Sequence, residues 1–222
     1  YGNIKLMKIV CFSDLHGQLD ALKRIEKDAK LADILISAGD LTNFGKRKSA
    51  MQILQKLINI NENVISIPGN CDTLEVNDVL TENGTSIHGK GKTIDNIGFF
   101  GVGGSNITPF NTPQEYTENH LVDLLESGYN DVKNNDKKVM VCHPPPYDTK
   151  IDLTNSGIHV GSKGVREFLM SHPVSLVICG HVHEARGHDI FEKSTIVNPG
   201  PANAGYSKIN LDDKIKIKFI DY

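Results

Sequence analysis

Asp14 and His16 are the first side chains in the sequence that together can bind a metal ion. They follow residues 7–10, an apolar run rich in strand-forming residues that is typical of a buried strand. In extended backbone, residues i and i+2 point to the same side, so one ion can contact both side chains. Because a lone Asp-x-His pair is common by chance, the prediction of a metal site depends on similar residues elsewhere in the chain.

Comparable side chains follow four more apolar runs, each of which is predicted to be a strand. Each has an ordinary structural explanation when taken alone: a helix cap for Asp40, a turn for Asn70 and a loop position for His143. Ligands of α/β proteins collect at the carboxyl ends of strands, because the connecting loops converge there. The repetition therefore predicts one shared metal site at this edge of the sheet. Its candidate donors are Asp14, His16, Asp40, Asn70, His143, His181 and His183.

The elements that must position these donors alternate between strand and helix in the first third of the chain. Strands are predicted at 7–10, 34–36 and 64–67, with amphipathic helices at 19–31 and 47–60 between them. This order predicts an α/β fold with parallel strands and right-handed crossovers.

The rest of the chain is predicted to be less regular, and it ends in strands. Lysines alternate with apolar residues from 214 to 219, so one face of the last hairpin is buried and the other is solvated. The later predicted strands lie at 85–88, 92–94, 97–102, 138–142, 176–178, 190–191 and 195–197, with a hairpin at 208–221. The later predicted helices lie at 114–125 and 163–171, and loops are predicted at 103–113 and 147–162.

The composition is that of an ordinary globular protein of 222 residues, with 39% hydrophobic and 23% charged residues. We predict one domain over 7–222, and residues 1–6 are interpreted as an N-terminal extension or a cloning remnant. No run approaches the ~20 apolar residues of a membrane helix, so no membrane partner is expected. A net charge of −3 disfavours binding along nucleic acid, and no dedicated nucleic-acid-binding domain is expected.

The four cysteines lack the spacing of a zinc finger, and three of them lie at the ends of predicted strands. Reduced thiols and a cytoplasmic location are therefore expected. The histidines outside the motif positions, His88, His120, His172 and His188, are expected at the surface or in caps.

The donors and their neighbours form a motif series that resembles the calcineurin-like metallophosphoesterases. The matching motifs are Asp14-Leu15-His16, Gly39-Asp40, Gly69-Asn70-Cys71-Asp72, His143 and Gly180-His181-Val182-His183. The short chain, the Asn-Cys-Asp form and Asn198-Pro199-Gly200 resemble the small prokaryotic Icc-related phosphodiesterases of this superfamily. The resemblance implies the metallo-dependent phosphatase fold, a four-layer αββα sandwich of two mixed β-sheets flanked by helices.

The resemblance also implies a binuclear centre that hydrolyses phosphoesters by in-line attack of a hydroxide bridging the two metals. Metal one would bind Asp14, His16, Asp40 and His183, and metal two would bind Asp40, Asn70, His143 and His181. Asp40 would bridge, since one carboxylate has two oxygens to share. Carboxylate, amide and imidazole donors suit Mn²⁺, Fe²⁺ or Fe³⁺, Zn²⁺ or Ni²⁺ better than Mg²⁺ or Ca²⁺.

The chain departs from many members of the resembled family at one position that bears on proton transfer. Those members carry His after the motif Asn, where this chain has Cys71, and a thiol is a poorer proton donor than an imidazolium. Diesters and other substrates with good leaving groups are therefore expected to be preferred over alkyl monoesters. His159 is a candidate substitute donor, beside the alternatives that Cys71 only packs and that His159 is a solvent-exposed loop residue. The catalytic candidates are Asp40, Asn70, Cys71 and His159.

Two other functions compete with a phosphodiesterase. One is an interaction protein on the same fold that binds metal without turnover; loss of donors would mark that class, and none is lost. The other is a nuclease for long DNA, which the acidic balance disfavours. The expected substrate is a small phosphate ester, with nucleotides included, chosen by the loops at 103–113 and 144–162. An exposed sheet edge or loop leaves an oligomer open.

Overall fold

A computed structural model describes residues 6–222 of the chain. The N-terminal extension or remnant expected over 1–6 lies outside the described residues except for its last position. The strands are β1 (Met7–Phe12), β2 (Ile34–Ser37), β3 (Val64–Ser66), β4 (Gly91–Ile94), β5 (Ile97–Val102), β6 (Ser105–Asn106), β7 (Glu115–Tyr116), β8 (Lys137–Cys142), β9 (Leu176–Ile178), β10 (Gly187–Phe191), β11 (Ser194–Asn198), β12 (Gly205–Leu211) and β13 (Ile215–Asp221). The helices are α1 (Leu19–Ala29), α2 (Arg47–Ile60), α3 (Leu74–Glu82), α4 (Glu118–Val132) and α5 (Lys163–Ser171), with a short 3-10 helix at His183–Ala185.

The strands build two mixed sheets and one short pair. The five-stranded sheet has the order β13-β12-β1-β2-β3, in which β1, β2 and β3 are parallel and the terminal hairpin β12–β13 is joined to β1 by antiparallel pairing of β12. The six-stranded sheet has the order β10-β11-β9-β8-β5-β4, with four central parallel strands and antiparallel strands at both edges. β6 and β7 pair with each other.

The two sheets pack face to face and helices cover their outer faces, which confirms the predicted four-layer αββα fold. Side chains along β1 alternate between two cores: Ile9 and Cys11 lie between the sheets, whereas Val10 and Phe12 pack with α1, α2 and α3. Phe99 of β5 is fully buried in the core between the sheets. α4 and α5 pack on the outer face of the six-stranded sheet around Phe100. This alternation is the period of two that buries a strand on both faces.

The structure corrects the predicted boundaries of the helix after residue 113. That helix is α4 at Glu118–Val132 rather than 114–125, because Glu115 and Tyr116 form β7. Thr117 caps the helix, since its hydroxyl accepts the backbone N–H of His120 at 3.2 Å. The helix continues through Gly128, where a Cβ would lie 2.8 Å from the carbonyl oxygen of Lys90. Glycine therefore permits α4 to pack closely on the segment that leads into β4.

Two more sequence predictions differ from the structure. No helix was predicted after Asp72, yet α3 begins at Leu74 and buries its apolar side chains against the helical core of the five-stranded sheet. The strand predicted at 85–88 is wrong, because this segment makes only isolated bridges, from Ser86 to Ser66 and from His88 to Gly101. The predicted terminal hairpin is confirmed as β12 and β13.

Two general properties follow from the described residues. Among the helices between residues 6 and 222, none combines the length and apolarity of a membrane-crossing segment. All four cysteines, Cys11, Cys71, Cys142 and Cys179, are free thiols.

Candidate metal centre

The seven predicted donors lie at the carboxyl ends of β1, β2, β3, β8 and β9, on loops that backbone hydrogen bonds join. The loops after β1 and β2 are joined where Asp14 N donates to Gly39 O at 3.0 Å and His16 N donates to Asp40 O at 2.9 Å. The loops after β8 and β9 are joined where Gly180 N donates to His143 O at 3.0 Å. Adjacent strand ends therefore hold the donor side chains in fixed relative positions.

Four of the seven donors have left-handed backbone. The φ angles are 53° for Asp14, 46° for His16, 50° for Asp40 and 68° for His181. This conformation is uncommon in residues other than glycine, and such strain is found most often at functional sites. Tight turns were expected at these strand ends, but which residues adopt this backbone was not evident from the sequence.

The first group of donors comprises Asp14, His16 and His183, whose ligand atoms all lie within 4.8 Å of one another. His183 Nε2 lies 3.1 Å from Asp14 Oδ1 and 3.4 Å from His16 Nε2. The carboxylate of Asp14 also accepts the backbone N–H of His181 at its other oxygen, at 3.1 Å. The group presents one carboxylate oxygen and two imidazole nitrogens to a common point.

The second group of donors comprises Asn70, His143 and His181. Asn70 Oδ1 lies 3.0 Å from His143 Nε2 and 2.9 Å from His181 Nδ1. Asn70 Nδ2 donates to Thr112 Oγ1 at 3.0 Å, which turns the amide oxygen towards the two histidines. His143 Nδ1 donates to Ala38 O at 2.8 Å, which leaves Nε2 as the nitrogen that faces the other donors.

Asp40 lies between the two groups. Its Oδ2 is 3.8 Å from His16 Nε2 of the first group and 3.5 Å from His143 Nε2 of the second. Its Oδ1 accepts the backbone N–H of Cys71 at 2.8 Å. A Cβ on Gly69 would lie 2.0 Å from Asp40 Oδ1, so only glycine at this position lets the β3 loop approach the carboxylate. Asp40 is therefore within 3.8 Å of a histidine nitrogen of each donor group.

The donors fit metal ions, and one buried oxygen supports this directly. Asp14 Oδ1 is fully buried and has no hydrogen-bond partner among the described residues, although His183 Nε2 lies 3.1 Å away. An unsatisfied buried carboxylate oxygen is costly in a folded protein. A cation at the first group would satisfy it, and carboxylate with imidazole is a common donor set for divalent transition metals.

The electrostatics also favour cations. Burial opposes ionisation of Asp14 and Asp40, but neighbouring histidines outweigh the effect of burial on both carboxyls. The nearby ring of His183 lowers the pKa of Asp14. The charge of His143 lowers the pKa of Asp40. Burial is likewise outweighed at His143, where Asp40 raises the pKa to about 9. Burial and the charge of His143 lower the pKa of His181 to about 4. No lysine or arginine of residues 6–222 forms an ion pair with either carboxylate, so bound metal ions would supply the missing positive charge.

Cys71, a catalytic candidate, lies at the centre. Its thiol groups with His16 and Asp40 within 4.8 Å. Burial, together with the charge of Asp40, raises the pKa of the Cys71 thiol well above its ordinary value. The thiol is therefore protonated at neutral pH and is a very weak acid.

His159, the other candidate, is held in its own loop. Its Nδ1 donates to Asp152 Oδ1 at 2.6 Å, and its Nε2 lies 3.7 Å from Asp148 Oδ1. Among the contacts of residues 6–222, none joins His159 to the seven donors. The loop does approach them, because Asn155 N donates to the carboxylate of Glu184, the residue after His183, at 3.4 Å.

Asp72 supports the donor loops, a role that was not predicted from the sequence although the residue is part of the Gly69-Asn70-Cys71-Asp72 motif. It is fully buried, and its carboxylate accepts the backbone N–H groups of Leu41, Thr42 and Gly69 at 2.8–3.0 Å. Burial and the nearby Asp40 raise the pKa of Asp72 to about 6. Asp72 therefore ties the β2 loop to the β3 loop, and its place two residues after Asn70 was the available signal.

His88, which is expected at the surface or in a cap, is half-buried beside the turn that follows β5. His88 accepts the backbone N–H of Gly103 at Nδ1, at 2.8 Å. Burial, and secondarily the charge of His120, lowers the pKa of His88 to about 4, so the ring is neutral and fit to accept. It supports the turn that follows β5.

Known proteins match the chain over most of its length. A sequence model of the calcineurin-like phosphoesterases matches residues 7–185. The protein MJ1162 of Methanocaldococcus jannaschii, named as uncharacterized, is 43% identical over 204 residues, which cover 89% of this chain and 90% of that protein.

Solved structures share the fold at low sequence identity. The crystal structure of TT1561 from Thermus thermophilus superposes with a TM-score of 0.76 at 21% identity, covering 97% of this chain and 99% of that one. A structure described as a novel archaeal phosphodiesterase superposes with a TM-score of 0.54 at 16% identity, covering 96% and 100%. With a family match across 7–185 and the motif residues gathered at one sheet edge, the chain belongs to the calcineurin-like phosphoesterase family.

Proposed function

We propose that the protein is a binuclear metal-dependent phosphodiesterase, formed by one domain over 7–222. The observation that carries the proposal is the position of Asp40 between two donor groups, within 3.8 Å of His16 and 3.5 Å of His143. Membership of the calcineurin-like phosphoesterases supports a hydrolase that acts on phosphoester bonds. The similar archaeal structure is described as a phosphodiesterase, and at 16% identity it supports the fold and makes that activity one to test.

The proposed ligand sets follow the two groups. Asp14, His16, Asp40 and His183 would hold one ion, and Asp40, Asn70, His143 and His181 would hold the other. Two such ions, when bound, neutralise phosphate charge and lower the pKa of water. We propose Mn²⁺, Fe²⁺ or Fe³⁺, Zn²⁺ or Ni²⁺, because amide and imidazole donors suit these ions better than Mg²⁺ or Ca²⁺.

The residues around the ligands would keep them in place during turnover. Thr112 orients the amide of Asn70, and the carbonyl of Ala38 fixes the ring of His143. Asp72 holds the β2 and β3 loops together. Because these contacts are already formed in the structure without substrate, the ligand side chains would need little rearrangement when a phosphoester binds.

Proton transfer to the leaving oxygen needs an acid, and the side chain nearest to Asp40 that could serve is a weak one. Cys71 lies beside Asp40, but its raised pKa makes the thiol a poor acid. We propose that His159 supplies the proton, oriented through Nδ1 by the buried carboxylate of Asp152. A weak or distant donor favours diesters and activated esters over alkyl monoesters.

The alternative is an interaction protein that binds metal on the same fold without turnover. Loss of donors would favour it, and all seven donors are present. A small phosphate ester, such as a nucleotide, is the proposed substrate.

The experiment compares bis-p-nitrophenyl phosphate with p-nitrophenyl phosphate on metal-stripped protein to which Mn²⁺, Fe²⁺, Ni²⁺, Zn²⁺ or Mg²⁺ is returned. We expect metal-dependent turnover that is faster on the diester. Asp40→Asn is expected to lower it by at least about 10³-fold, because the shared carboxylate serves both ions. The matched control is Leu31→Ala, which changes an exposed side chain at the other end of the strands. Bound metal with no turnover on either ester would support the interaction protein instead.

A further inference from the structure

Three large apolar side chains are exposed on loops beside the metal centre. The exposed fractions are 54% for Phe44, 69% for Ile107 and 79% for Phe110. Together they are called the apolar rim. Their exposure leaves apolar area that an apolar group of a ligand can bury.

The loops of the apolar rim are hydrogen-bonded to two consecutive residues of the centre. Phe44 N donates to Cys71 O at 3.1 Å. On the loop of Ile107 and Phe110, Thr112 Oγ1 accepts from Asn70 Nδ2 at 3.0 Å. The rim is therefore attached to the proposed metal ligand Asn70 and its neighbour.

The rim is held in a defined conformation. The carboxylate of Glu115 accepts the backbone N–H groups of Thr108 and Thr112 at 3.2 and 2.8 Å, and both of their hydroxyls, at 2.5 and 2.7 Å. These contacts bracket Phe110 on both sides. Phe44 has left-handed backbone with a φ of 54°, which is uncommon for an aromatic residue and is typical of functional positions.

The three rim side chains carry no charge themselves; the nearest charged groups along the chain are the Glu115 carboxylate, which holds the loop of Ile107 and Phe110, and the basic run at 46–48 after Phe44. Residues 41–45 and 103–114 contain no Asp, Glu, Lys, Arg or His. The 103–114 loop, which carries two of the three rim side chains, therefore offers no cationic side chain to a second phosphate or a polyanion. A neutral apolar group would find aromatic and aliphatic side chains, and exposed phenyl rings on firm loops are suited to stack on a planar ring.

We infer that the apolar rim binds an uncharged aromatic substituent of the substrate, so that the enzyme prefers phosphodiesters that carry a nucleobase or an aryl ring. This inference rests on the proposed function, since it names the substrate class of that site. Phe110 and Phe44 are its specificity-determining residues. The reacting phosphate is held at the metal centre while the ring lies against the rim.

The first test keeps the leaving group constant. The metal-loaded protein is assayed on ethyl p-nitrophenyl phosphate, phenyl p-nitrophenyl phosphate and the p-nitrophenyl ester of thymidine 5′-phosphate. All three diesters release p-nitrophenolate. We expect kcat/KM to be about tenfold higher for the phenyl and thymidine diesters than for the ethyl diester. Phe110→Ala and Phe44→Ala are expected to remove most of this preference through KM, with kcat unchanged.

Two further variants separate ring stacking from general apolar contact. Phe110→Tyr is expected to retain the preference and Phe110→Leu to lose it, because only the first keeps a ring. The control is Leu31→Ala, which should behave as wild type. A thymidine preference without a phenyl preference would place recognition on the polar groups of the nucleoside and would overturn the inference.

A second test does not depend on turnover. The chain has no tryptophan, so Phe110→Trp places a single tryptophan in the rim, which can be excited apart from the six tyrosines. We expect phenyl phosphate and thymidine 5′-phosphate to quench it in the metal-loaded protein, methyl phosphate not to do so, and Leu31→Trp to respond to none of them.

The outcomes distinguish the inference from the proposed function. Quenching without hydrolysis of any diester would support the rim and reject the phosphodiesterase. Hydrolysis of all three diesters at equal kcat/KM, with no selective quenching, would keep the phosphodiesterase and overturn the inference. A rim whose variants change only the oligomeric state of the protein would be a contact between chains, which also overturns it.

Discussion

Asn70 shows how single residues set the geometry of the candidate metal centre. Its amide oxygen lies within 3.0 Å of two histidine nitrogens, and Thr112 fixes which end of the amide faces them. The residue type and its place after a strand predicted a donor at this position. The contact with Thr112 was not predictable, because Thr112 lies 42 residues away in the sequence on an irregular loop.

His159 carries the prediction that belongs to this scale. If His159 protonates the leaving oxygen, His159→Gln should slow hydrolysis of a diester with a phenol leaving group by about 100-fold. Hydrolysis of a diester with a p-nitrophenol leaving group should slow by less than about threefold, because only the poorer leaving group needs the proton. Asp152→Asn should act in the same direction, since it leaves the imidazole without its carboxylate partner. The measurement is kcat/KM on both diesters.

A comparison with Cys71→Ser makes that measurement decisive. Cys71→Ser tests the competing donor and is expected to change both diesters equally. If His159→Gln slowed hydrolysis of both diesters equally, proton donation by His159 would be contradicted. His159 would then be a solvent-exposed loop residue that only supports its loop.

At the scale of elements, the loops around the centre are ordered by side chains that lie outside it. Glu115 binds Thr108 and Thr112 and so connects the loop after β6 to Asn70. Burial opposes ionisation of Glu115, but hydrogen bonds from Thr108 and Thr112 outweigh it and lower its pKa to about 2. The structure thus uses an ionised carboxylate as the core of the loop.

The pH dependence of stability tests this role of Glu115. A carboxyl with a lowered pKa in the folded state stabilises fully above its unfolded pKa of about 4.5, and this contribution is lost as the pH falls towards about 2. Between about pH 5 and about pH 3, wild type should therefore lose more unfolding free energy than Glu115→Gln, measured by urea titration. Equal losses in the two proteins would show that the carboxylate does not support the loop.

The elements that the sequence analysis missed have a common physical cause. α3 contains Val76, Asn77, Asp78 and Thr81, which have modest helix propensity. The helix is stabilised by its apolar side chains, which are buried in the core beside β3. α4 continues past Leu125 because Gly128 fits against the backbone near β4. Both outcomes depend on tertiary packing, whereas the donor-bearing strands were predictable from their apolar runs.

At the scale of the whole molecule, the fold aligns two separate sheets so that their carboxyl edges meet. Asp14, Asp40 and Asn70 come from the five-stranded sheet, whereas His143 and His181 come from the six-stranded sheet. The contact between the sheets therefore sets the distance between the proposed ligands. The resemblance of the motifs implied two mixed sheets. The order of the strands in each sheet and the alignment of one sheet on the other were not evident from the apolar pattern alone.

Phe99 tests the packing between the two sheets, because its side chain is fully buried there. Phe99→Ala should lower the free energy of unfolding by about 3–5 kcal/mol through the cavity it leaves. Urea titration of the metal-free protein is the measurement, with Leu31→Ala as a control that should stay within about 0.5 kcal/mol of wild type. A loss below about 1 kcal/mol for Phe99→Ala would contradict a packed core between the sheets.

Phosphodiester hydrolysis is proposed to need two ions that share Asp40, and a metal titration separates the effect of one ion from that of two. Metal-free protein is titrated with Mn²⁺ while bound ions per chain and the rate on bis-p-nitrophenyl phosphate are measured together, for wild type and for Asn70→Ala. We expect wild type to bind two ions and to gain activity mainly with the second. Asn70→Ala should bind the second ion weakly and stay inactive until it is loaded. Full activity with one bound ion, or two bound ions without hydrolysis, would show that the shared pair is not the catalytic unit.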